Sequence, residues 1–255
     1  MRRVGTAAVL LAILFAALFL LPRAGVAALM ALIIGIGGYE WARLCGLGPA
    51  LARFYGAAIV VSMIALFFVE LARPAFLAAS AFWIVAVPAW LAVGVAPRHQ
   101  PVLLGAGFLV LVPPALAMVV LEPGVALLVL AVAWIADTAA YFIGRRWGRR
   151  KLAPTISPGK TWEGAVGGLI GGAAYAMILS IFLAQATRMA AFLGAAALLV
   201  VVSIVGDLFE SAVKRQAGVK DSGALLPGHG GMLDRIDSAT AILPVAALLL
   251  SLPNP

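Results

Sequence analysis

Residues 102–121 form the stretch VLLGAGFLVLVPPALAMVVL, twenty residues without one charged side chain. As an α-helix rising about 1.5 Å per residue, this stretch is long enough to cross the roughly 30 Å hydrocarbon core of a bilayer. Similar uncharged runs recur along the 255-residue chain, which is 64% hydrophobic and 11% charged. A soluble domain carries about 25% charged residues, and the period-two alternation of membrane β-strands is missing. We therefore predict an all-α, polytopic bundle of transmembrane helices.

About nine spans are expected, separated mostly by short connections that contain proline or glycine. Only residues 144–163 and 207–235 form long loops. We divide the chain into an N-terminal region, 1–125, with about five spans, and a C-terminal region, 126–255, with the remaining spans and both loops. The first span could be a signal peptide, but its run of 18 residues lacks a clear cleavage site, so a retained helix is favoured. The predicted spans are Val4–Leu21, Ala24–Leu44, Gly56–Leu71, Ala75–Val95, Val102–Leu121, Gly124–Ile143, Gly164–Ala184, Met189–Gly206 and Ile236–Leu252.

The basic residues are distributed unequally between the two faces of this bundle. With alternate connections assigned to the same face, fifteen of the 18 lysines and arginines lie with the N-terminus and the two long loops. The three on the other face are Arg23, Arg73 and Arg188. Because basic residues accumulate on the cytoplasmic side, we expect the N-terminus and both long loops in the cytoplasm and the C-terminus outside. The net charge of +8 then comes mainly from basic residues that set the orientation in the membrane. A nucleic-acid partner has little support.

Asp137 is a carboxylate inside the sixth predicted span. An acid at this depth costs roughly 2.5–3.5 kcal/mol, so it should face a polar cavity or a charged partner. A functional role is favoured, and a structural ion pair with Arg145 or Arg146 is the alternative. The residues that share its helix face by spacing are Trp134, Thr138 and Tyr141.

The first long loop contains the segment Ser157-Pro158-Gly159-Lys160-Thr161. A lysine and two hydroxyls beside proline and glycine could bind a phosphate near a helix start. The spacing is not that of a Walker A loop. In the span that follows, Gly164, Gly167, Gly168, Gly171 and Gly172 predict close helix packing rather than a site.

The second long loop holds most of the remaining acids. Helical spacing from Ser203 through Asp207 to Lys214 predicts that the eighth helix continues beyond the membrane with a polar stripe. Asp234 and Asp237 share one face at the start of the ninth helix, where the helix dipole favours anions. Several carboxylates at one interface repel one another unless a cation joins them. Oxygen ligands without a cysteine cluster indicate Mg²⁺, which uses one or two carboxylates together with substrate phosphates.

These elements together resemble the motifs of the phosphatidate cytidylyltransferase family, over roughly residues 134–238. The principal match is Ser211-Ala212-Val213-Lys214-Arg215, four residues, Lys220-Asp221, then Pro227-Gly228-His229-Gly230-Gly231-Met232-Leu233-Asp234-Arg235-Ile236-Asp237. The other matching elements are Asp137-x-x-Ala140-Tyr141-x-x-Gly144, Ser157-Pro158-x-Lys160-Thr161-x-Glu163-Gly164 and Gly206-Asp207-Leu208-Phe209-Glu210-Ser211.

The resemblance implies that CTP and membrane phosphatidic acid give CDP-diacylglycerol and pyrophosphate with the help of a divalent metal. We assign Mg²⁺ to Asp207 and Asp234, and a second cation and a homodimer remain open. The enzyme would be integral to a bacterial inner membrane, with its active site facing the cytoplasm. The expected catalytic residues are Asp207, Asp234, Lys214, Arg215 and Asp221. The expected substrate-binding residues are Ser157, Lys160, Thr161, Lys220, His229, Gly230, Gly231, Arg235, Asp237 and Asp137.

Two other classes of function compete with this interpretation. A transporter would spread its acids across the membrane depth, whereas seven of the ten acids here lie between Asp137 and Asp237. A related CTP-dependent enzyme acting on an isoprenoid alcohol would not need the full C-terminal motif. A catalytically inactive scaffold would have no reason to keep so many costly polar residues.

Overall fold

The computed structural model describes residues 2–183, 186–223 and 230–252, and this part of the chain is almost entirely helical. A π-helical segment, Phe82–Ala86, joins α4 and α5 into one rod, and short 3₁₀ turns precede α6 and α9. The helices are α1 (Arg2–Leu20), α2 (Arg23–Leu44), α3 (Pro49–Phe68), α4 (Ala72–Ala81), α5 (Val87–Val93), α6 (Gln100–Val120), α7 (Pro123–Trp147), α8 (Trp162–Phe182), α9 (Met189–Gln216) and α10 (Leu233–Ser251).

Seven of these rods are long and apolar enough to cross a membrane: α2, α3, the α4–α5 rod, α6, α7, α8 and α9. In α1 the stretch Leu11–Leu20 is apolar but shorter, and α10 carries three charged residues in its first two turns. Large apolar side chains such as Phe54, Phe68 and Phe182 are exposed on the outside of the bundle, as lipid contact requires. The prediction of an all-α polytopic membrane protein is therefore confirmed, while nine spans and a cytoplasmic N-terminus stay predictions.

One predicted helix boundary was wrong. The third span begins at Pro49 rather than Gly56, because Pro49 occupies the first helical turn, where proline is favoured, and the charged residue Arg53 lies within the helix rather than before it. No secondary structure was predicted for the first long loop. It forms a two-stranded antiparallel sheet of β1 (Lys151–Ala153) and β2 (Ser157–Thr161).

The predicted small-residue packing of the seventh span is confirmed between α7 and α8. A Cβ atom on Gly164 would lie 2.9 Å from the carbonyl oxygen of Ala140, and one on Gly168 would lie 3.2 Å from that of Ala136. Larger side chains would push the two helices apart, so glycine at these positions lets the backbones approach. The close contact holds the start of α8 beside the C-terminal half of α7.

An aromatic cluster fixes α9 against the N-terminal helices. Phe209 is fully buried, and its ring lies 5.5–6.2 Å from the rings of Trp41, Phe82, Trp83 and Trp90. These ring separations are typical of favourable aromatic pairs. The cluster therefore holds the polar C-terminal half of α9, which begins near Asp207, in one position.

Candidate active site

The predicted site residues that the structure describes lie at one end of the helical bundle. The C-terminal ends of α2, α7 and α9 meet the N-terminal ends of α8 and α10 there. Contacts between Lys160 and Asp207, and between Lys214 and Asp234, join the first loop, α9 and α10. The arrangement follows from the connectivity, because alternate helix ends lie on the same side of an antiparallel bundle.

Lys214 joins two carboxylates from different helices. Its Nζ atom lies 2.6 Å from Oδ1 of Asp234 on α10 and 3.0 Å from Oε1 of Glu210, one turn back on α9. The Lys214 side chain is only 12% exposed, and both acids are 7% exposed. A pair so shielded from water is stronger than a surface ion pair, and removal of one partner leaves an uncompensated charge.

Asp234 also holds the segment that precedes α10. Its Oδ2 atom accepts hydrogen bonds from the backbone N–H of Ser222 at 2.9 Å and of Gly231 at 2.8 Å, and from the Ser222 hydroxyl at 3.1 Å. Gly230 has a φ of +79°, which favours glycine, and a Cβ atom there would lie 2.5 Å from Oδ2 of Asp234. The glycines of the motif thus allow backbone to close around this carboxylate.

A second lysine lies beside a group of acids from three helices. Nζ of Lys160 lies 2.6 Å from Oδ2 of Asp207, whose Oδ1 accepts from the Ser211 hydroxyl at 3.3 Å. Asp137 and Asp237 are close enough to interact electrostatically with both Lys160 and Asp207. Glu210 interacts in turn with Asp237 and Asp234. We call the connected acids the carboxylate cluster: Asp137, Asp207, Glu210, Asp234 and Asp237.

Asp137 occupies the exposed face of α7 that its spacing predicted. Trp134, Thr138 and Tyr141 are exposed on the same face. Among the described residues, no ion pair joins Asp137 to an arginine. Arg145 instead donates a hydrogen bond to the Tyr141 hydroxyl at 2.9 Å. The structure therefore favours the carboxylate cluster over the structural ion pair as the setting of Asp137.

The β-hairpin of the first loop presents Lys160 to the cluster. Thr161, at the end of β2, is buried and caps α8, because its hydroxyl accepts a hydrogen bond from the N–H of Gly164 at 3.1 Å. Glu163 accepts hydrogen bonds from the backbone N–H groups of Arg149 and Arg150, which closes the base of the hairpin. These contacts give Thr161 a structural role that the sequence analysis did not assign to it.

The remaining predicted residues lie around this centre. Arg215 is exposed and donates to the carbonyl oxygens of Ile156 and Val219, so it joins α9 to the hairpin that carries Ser157. Gly231 is buried beside Asp234. His229 lies outside the described residues. Exposed side chains at the rim are those of Lys220, Asp221 and Arg235.

Sequence reasoning missed Glu40, which is 4% exposed near the end of α2. Its carboxylate accepts hydrogen bonds from the backbone N–H groups of Met232 and Leu233, both at 2.9 Å, and from the Ser222 hydroxyl at 2.8 Å. It thereby satisfies N–H groups at the start of α10 that have no partner within the helix. The available signal was that Glu40 is one of only three acids in the first 125 residues.

The donor chemistry of the cluster fits Mg²⁺ better at Asp207 than at Asp234. An ionised carboxylate offers about four acceptor positions. Asp234 receives Lys214 on Oδ1 and the N–H groups of Ser222 and Gly231 on Oδ2, and its side chain is only 7% exposed. Asp207 receives two donors, and its side chain is 29% exposed, so it is the more accessible of the two carboxylates. Among the described residues, no three His, Cys, Asp or Glu side chains form a ready-made metal site. Mg²⁺ does not need such a cage, because it binds one or two carboxylates and takes substrate phosphates as its other ligands.

The fold and the site define a polytopic helical membrane protein with lysines and carboxylates gathered at one end of the bundle. The chain belongs to the cytidylyltransferase family, whose model matches residues 1–252. A phosphatidate cytidylyltransferase of Pseudomonas aeruginosa is 43% identical over 263 residues, which cover 98% of this chain and 96% of that protein.

Two further relatives with the same name match only part of each chain. The one from Haemophilus influenzae is 50% identical over 122 residues, 46% of this chain and 42% of the relative. The one from Thermotoga maritima is 42% identical over 132 residues, 50% of this chain and 49% of the relative.

Proposed function

We propose that this protein is a phosphatidate cytidylyltransferase, which transfers CMP from CTP to phosphatidic acid and releases pyrophosphate. The observation that carries the proposal is the carboxylate cluster around Lys160 and Lys214. It lies at one end of the helical bundle, in a chain that belongs to the cytidylyltransferase family. A water-soluble nucleotide and a lipid phosphate can meet only where a polar site adjoins the bilayer. The cluster lies at one end of a bundle of apolar helices, which supports such a position.

The chemistry asks for positioning and charge neutralisation rather than for a strong base. A phosphate oxygen of phosphatidate, already anionic, attacks the α-phosphorus of CTP. A new P–O bond forms there, and the bond to the β-phosphate oxygen breaks with pyrophosphate as the leaving group. Phosphoryl transfer of this kind depends mainly on alignment and on stabilisation of the phosphate charge.

Within this proposal, Lys160 and Arg215 contact the phosphates, and Lys214 keeps Asp234 oriented. The 2.6 Å contact of Lys160 with Asp207 holds the ammonium group at the cluster before substrate arrives. Ser157 and Lys220 lie on the two segments that flank it and would bind the nucleotide from the aqueous side. The other proposed contacts are Thr161, Asp221, His229, Gly230, Gly231 and Arg235.

We propose that Mg²⁺ is held by Asp207 with Asp137 or Asp237, which adjoin it in the cluster. When bound, the ion would neutralise triphosphate charge and fix the orientation of the phosphate chain. Asp234 is the less accessible carboxylate, because its side chain is 7% exposed and its Oδ1 atom already contacts Lys214. It acts in this proposal mainly as a positioning residue, which holds Gly231 and Ser222 in place.

In this proposal the protein lies in a bacterial inner membrane and its site faces the cytoplasm. The assignment of fifteen basic residues to that face supports this orientation. The protein has one cysteine, Cys45, and a Cys45→Ala background permits single-cysteine labelling. The cysteine of Lys151→Cys should react with a membrane-impermeant maleimide only after spheroplasts are lysed. The cysteine of Arg188→Cys should react in intact spheroplasts. The reverse pattern would invert the proposed orientation.

Light scattering of the purified protein in detergent tests the open question of a homodimer.

The decisive experiment measures transfer of label from CTP into lipid by the purified protein, in mixed micelles that contain phosphatidic acid, with Mg²⁺ or with EDTA. The CTP is labelled in its α-phosphate, which CMP transfer carries to the lipid, and a parallel set uses CTP labelled in its γ-phosphate, which phosphorylation of an alcohol would transfer. Asp207→Asn and Asp234→Asn are assayed beside the wild type, and an isoprenoid alcohol replaces phosphatidic acid in a parallel reaction. We expect label in the lipid fraction only with phosphatidic acid and metal, and a large loss in both variants.

Each alternative result has a defined meaning. Transfer that survives Asp207→Asn would remove Asp207 as the metal ligand and leave the activity intact. Label on the isoprenoid alcohol alone would refute phosphatidic acid as the substrate. A folded wild-type protein that transfers no label to either lipid would refute the proposed function.

A further inference from the structure

An apolar groove leads away from the active site along α10. It lies between α1, α2, α6, α7 and α10, and its volume is about 150 Å³. Its walls include Ile34, Leu130, Ala239 and Leu243, and nearly all of its lining residues are apolar. The charged exception is Arg235, which stands at the end of the groove nearest the carboxylate cluster.

The groove is continuous with the active site through two helices. On α10, Arg235 is the immediate neighbour of Asp234, and on α7 the lining residue Trp134 lies one turn before Asp137. From Arg235 the groove follows α10 to Leu243, which is about 12 Å along the helix axis at 1.5 Å per residue. A ligand that occupies it therefore has one end at the cluster and the other within the hydrophobic thickness of the bundle.

We propose that this groove holds an acyl chain of the lipid substrate, with the lipid phosphate beside Arg235. The inference rests on the proposed function, since it assigns part of that substrate to a specific place. An anionic headgroup with a hydrocarbon tail matches a cationic mouth with apolar walls. A soluble nucleotide or a polar peptide would leave its polar groups unpaired against those walls.

The groove acts by shape rather than by the hydrophobic effect. An acyl chain that enters it leaves hydrocarbon, not water, so it gains no transfer free energy from water. What it gains is close contact with fixed walls and alignment of the phosphate above. An apolar protein cavity of about 150 Å³ accepts a benzene-sized molecule, so the groove holds one part of a chain and leaves the rest in the bilayer.

A second groove provides a matched control. It has a volume of about 240 Å³ and lies at the opposite end of the bundle, where Val125, Ala195 and Leu199 are among its lining residues. Its walls are as apolar as those of the first groove, but no charged residue belongs to its lining. Ala195 on α9 and Ala239 on α10 are both partly buried helical alanines.

The experiment compares Ala239→Leu with Ala195→Leu by the ratio of kcat/KM for dipalmitoyl phosphatidate to kcat/KM for dihexanoyl phosphatidate. Ala239 lies one helical turn, about 6 Å, from Arg235, so the short chains of the dihexanoyl lipid end near it, whereas palmitoyl chains extend past it. We expect the ratio to fall about fivefold or more in Ala239→Leu and to stay at the wild-type value in Ala195→Leu. Leu130→Phe, which narrows the groove from α7, should give the same fall if Ala239→Leu does not fold.

Three results would overturn the proposal. A wild-type ratio in folded Ala239→Leu and Leu130→Phe would show that the chain does not use this groove. An equal fall in Ala195→Leu would show a general effect of added bulk. A wild-type protein that is inactive on both lipids would overturn the proposed function and the groove with it, whereas the first two results leave that function intact.

Discussion

Glu40→Gln tests whether a buried acid of the N-terminal region holds the start of α10 in place. In the wild type, Oε1 of Glu40 accepts from the Met232 N–H, and Oε2 accepts from the Leu233 N–H and the Ser222 hydroxyl. Glutamine has the same shape but only one oxygen. Whichever way its amide is turned, an NH₂ group faces one of the two backbone N–H groups, and that donor is left without an acceptor.

The expected loss of stability follows from this count. A buried donor without a partner costs about 1–3 kcal/mol, and loss of the negative charge at the start of α10 costs about 0.3–1 kcal/mol more. The free energy of unfolding should therefore fall by about 1–4 kcal/mol. In a chain of this size each kcal/mol lowers Tm by about 2–4 °C, so the expected shift is about 2–16 °C.

The protein contains a built-in probe for this measurement. Cys45 is the only cysteine and is 3% exposed, so a thiol-reactive dye that fluoresces on reaction reports unfolding in detergent. Glu70→Gln makes the same chemical change at an exposed position and should shift the free energy of unfolding by no more than about 0.5 kcal/mol. If Glu40→Gln melts with the Glu70→Gln control and the wild type, the proposed role of these hydrogen bonds is refuted.

Two further substitutions examine the same end of the bundle. Gly231→Ala places a Cβ atom against the Ser222 hydroxyl and 2.5 Å from Oε2 of Glu40. We expect it to lower the free energy of unfolding by about 1–3 kcal/mol in the thiol melting assay. Gly159→Ala is the control, because nothing lies within 4 Å of a Cβ atom there, and equal melting of the two variants would contradict the prediction. Lys160→Met removes the ammonium group that lies 2.6 Å from Asp207. It should lower kcat about 100-fold or more while the protein stays folded. A kcat within threefold of the wild type would exclude Lys160 from phosphate binding.

Local sequence patterns predicted the helices well where hydropathy and boundary residues agree. The predicted span Ala24–Leu44 differs from α2 by one residue at its start. The continuation of α9 beyond Gly206 followed from the helical spacing of its polar residues, and α9 indeed runs to Gln216. Periodicity succeeds here because each helix buries or exposes one face independently of the others.

Contacts between distant segments could not be predicted in the same way. Glu40 and Leu233 are 193 positions apart, and no periodic pattern relates one residue to the other. The sheet of β1 and β2 was missed because Ser157-Pro158-Gly159 has the composition of a turn, and its pairing with Lys151–Ala153 depends on a register that the residue types do not reveal. The structure was needed to show that Thr161 caps a helix and that Asp234 accepts hydrogen bonds from Ser222 and Gly231.

The charge balance of the carboxylate cluster explains why metal and nucleotide should bind together. Five acids interact with two ammonium groups, those of Lys160 and Lys214, so the fully ionised cluster carries an excess of three negative charges. Backbone N–H groups offset the charge of Asp234, but the acids around Asp207 depend mainly on Lys160. A triphosphate adds further negative charge to the same place, and like charges so close together disfavour the ionised state. In the proposed function, added cations beside Asp207 would therefore favour the binding of CTP, and phosphate oxygens would in turn complete the coordination that one or two carboxylates leave open.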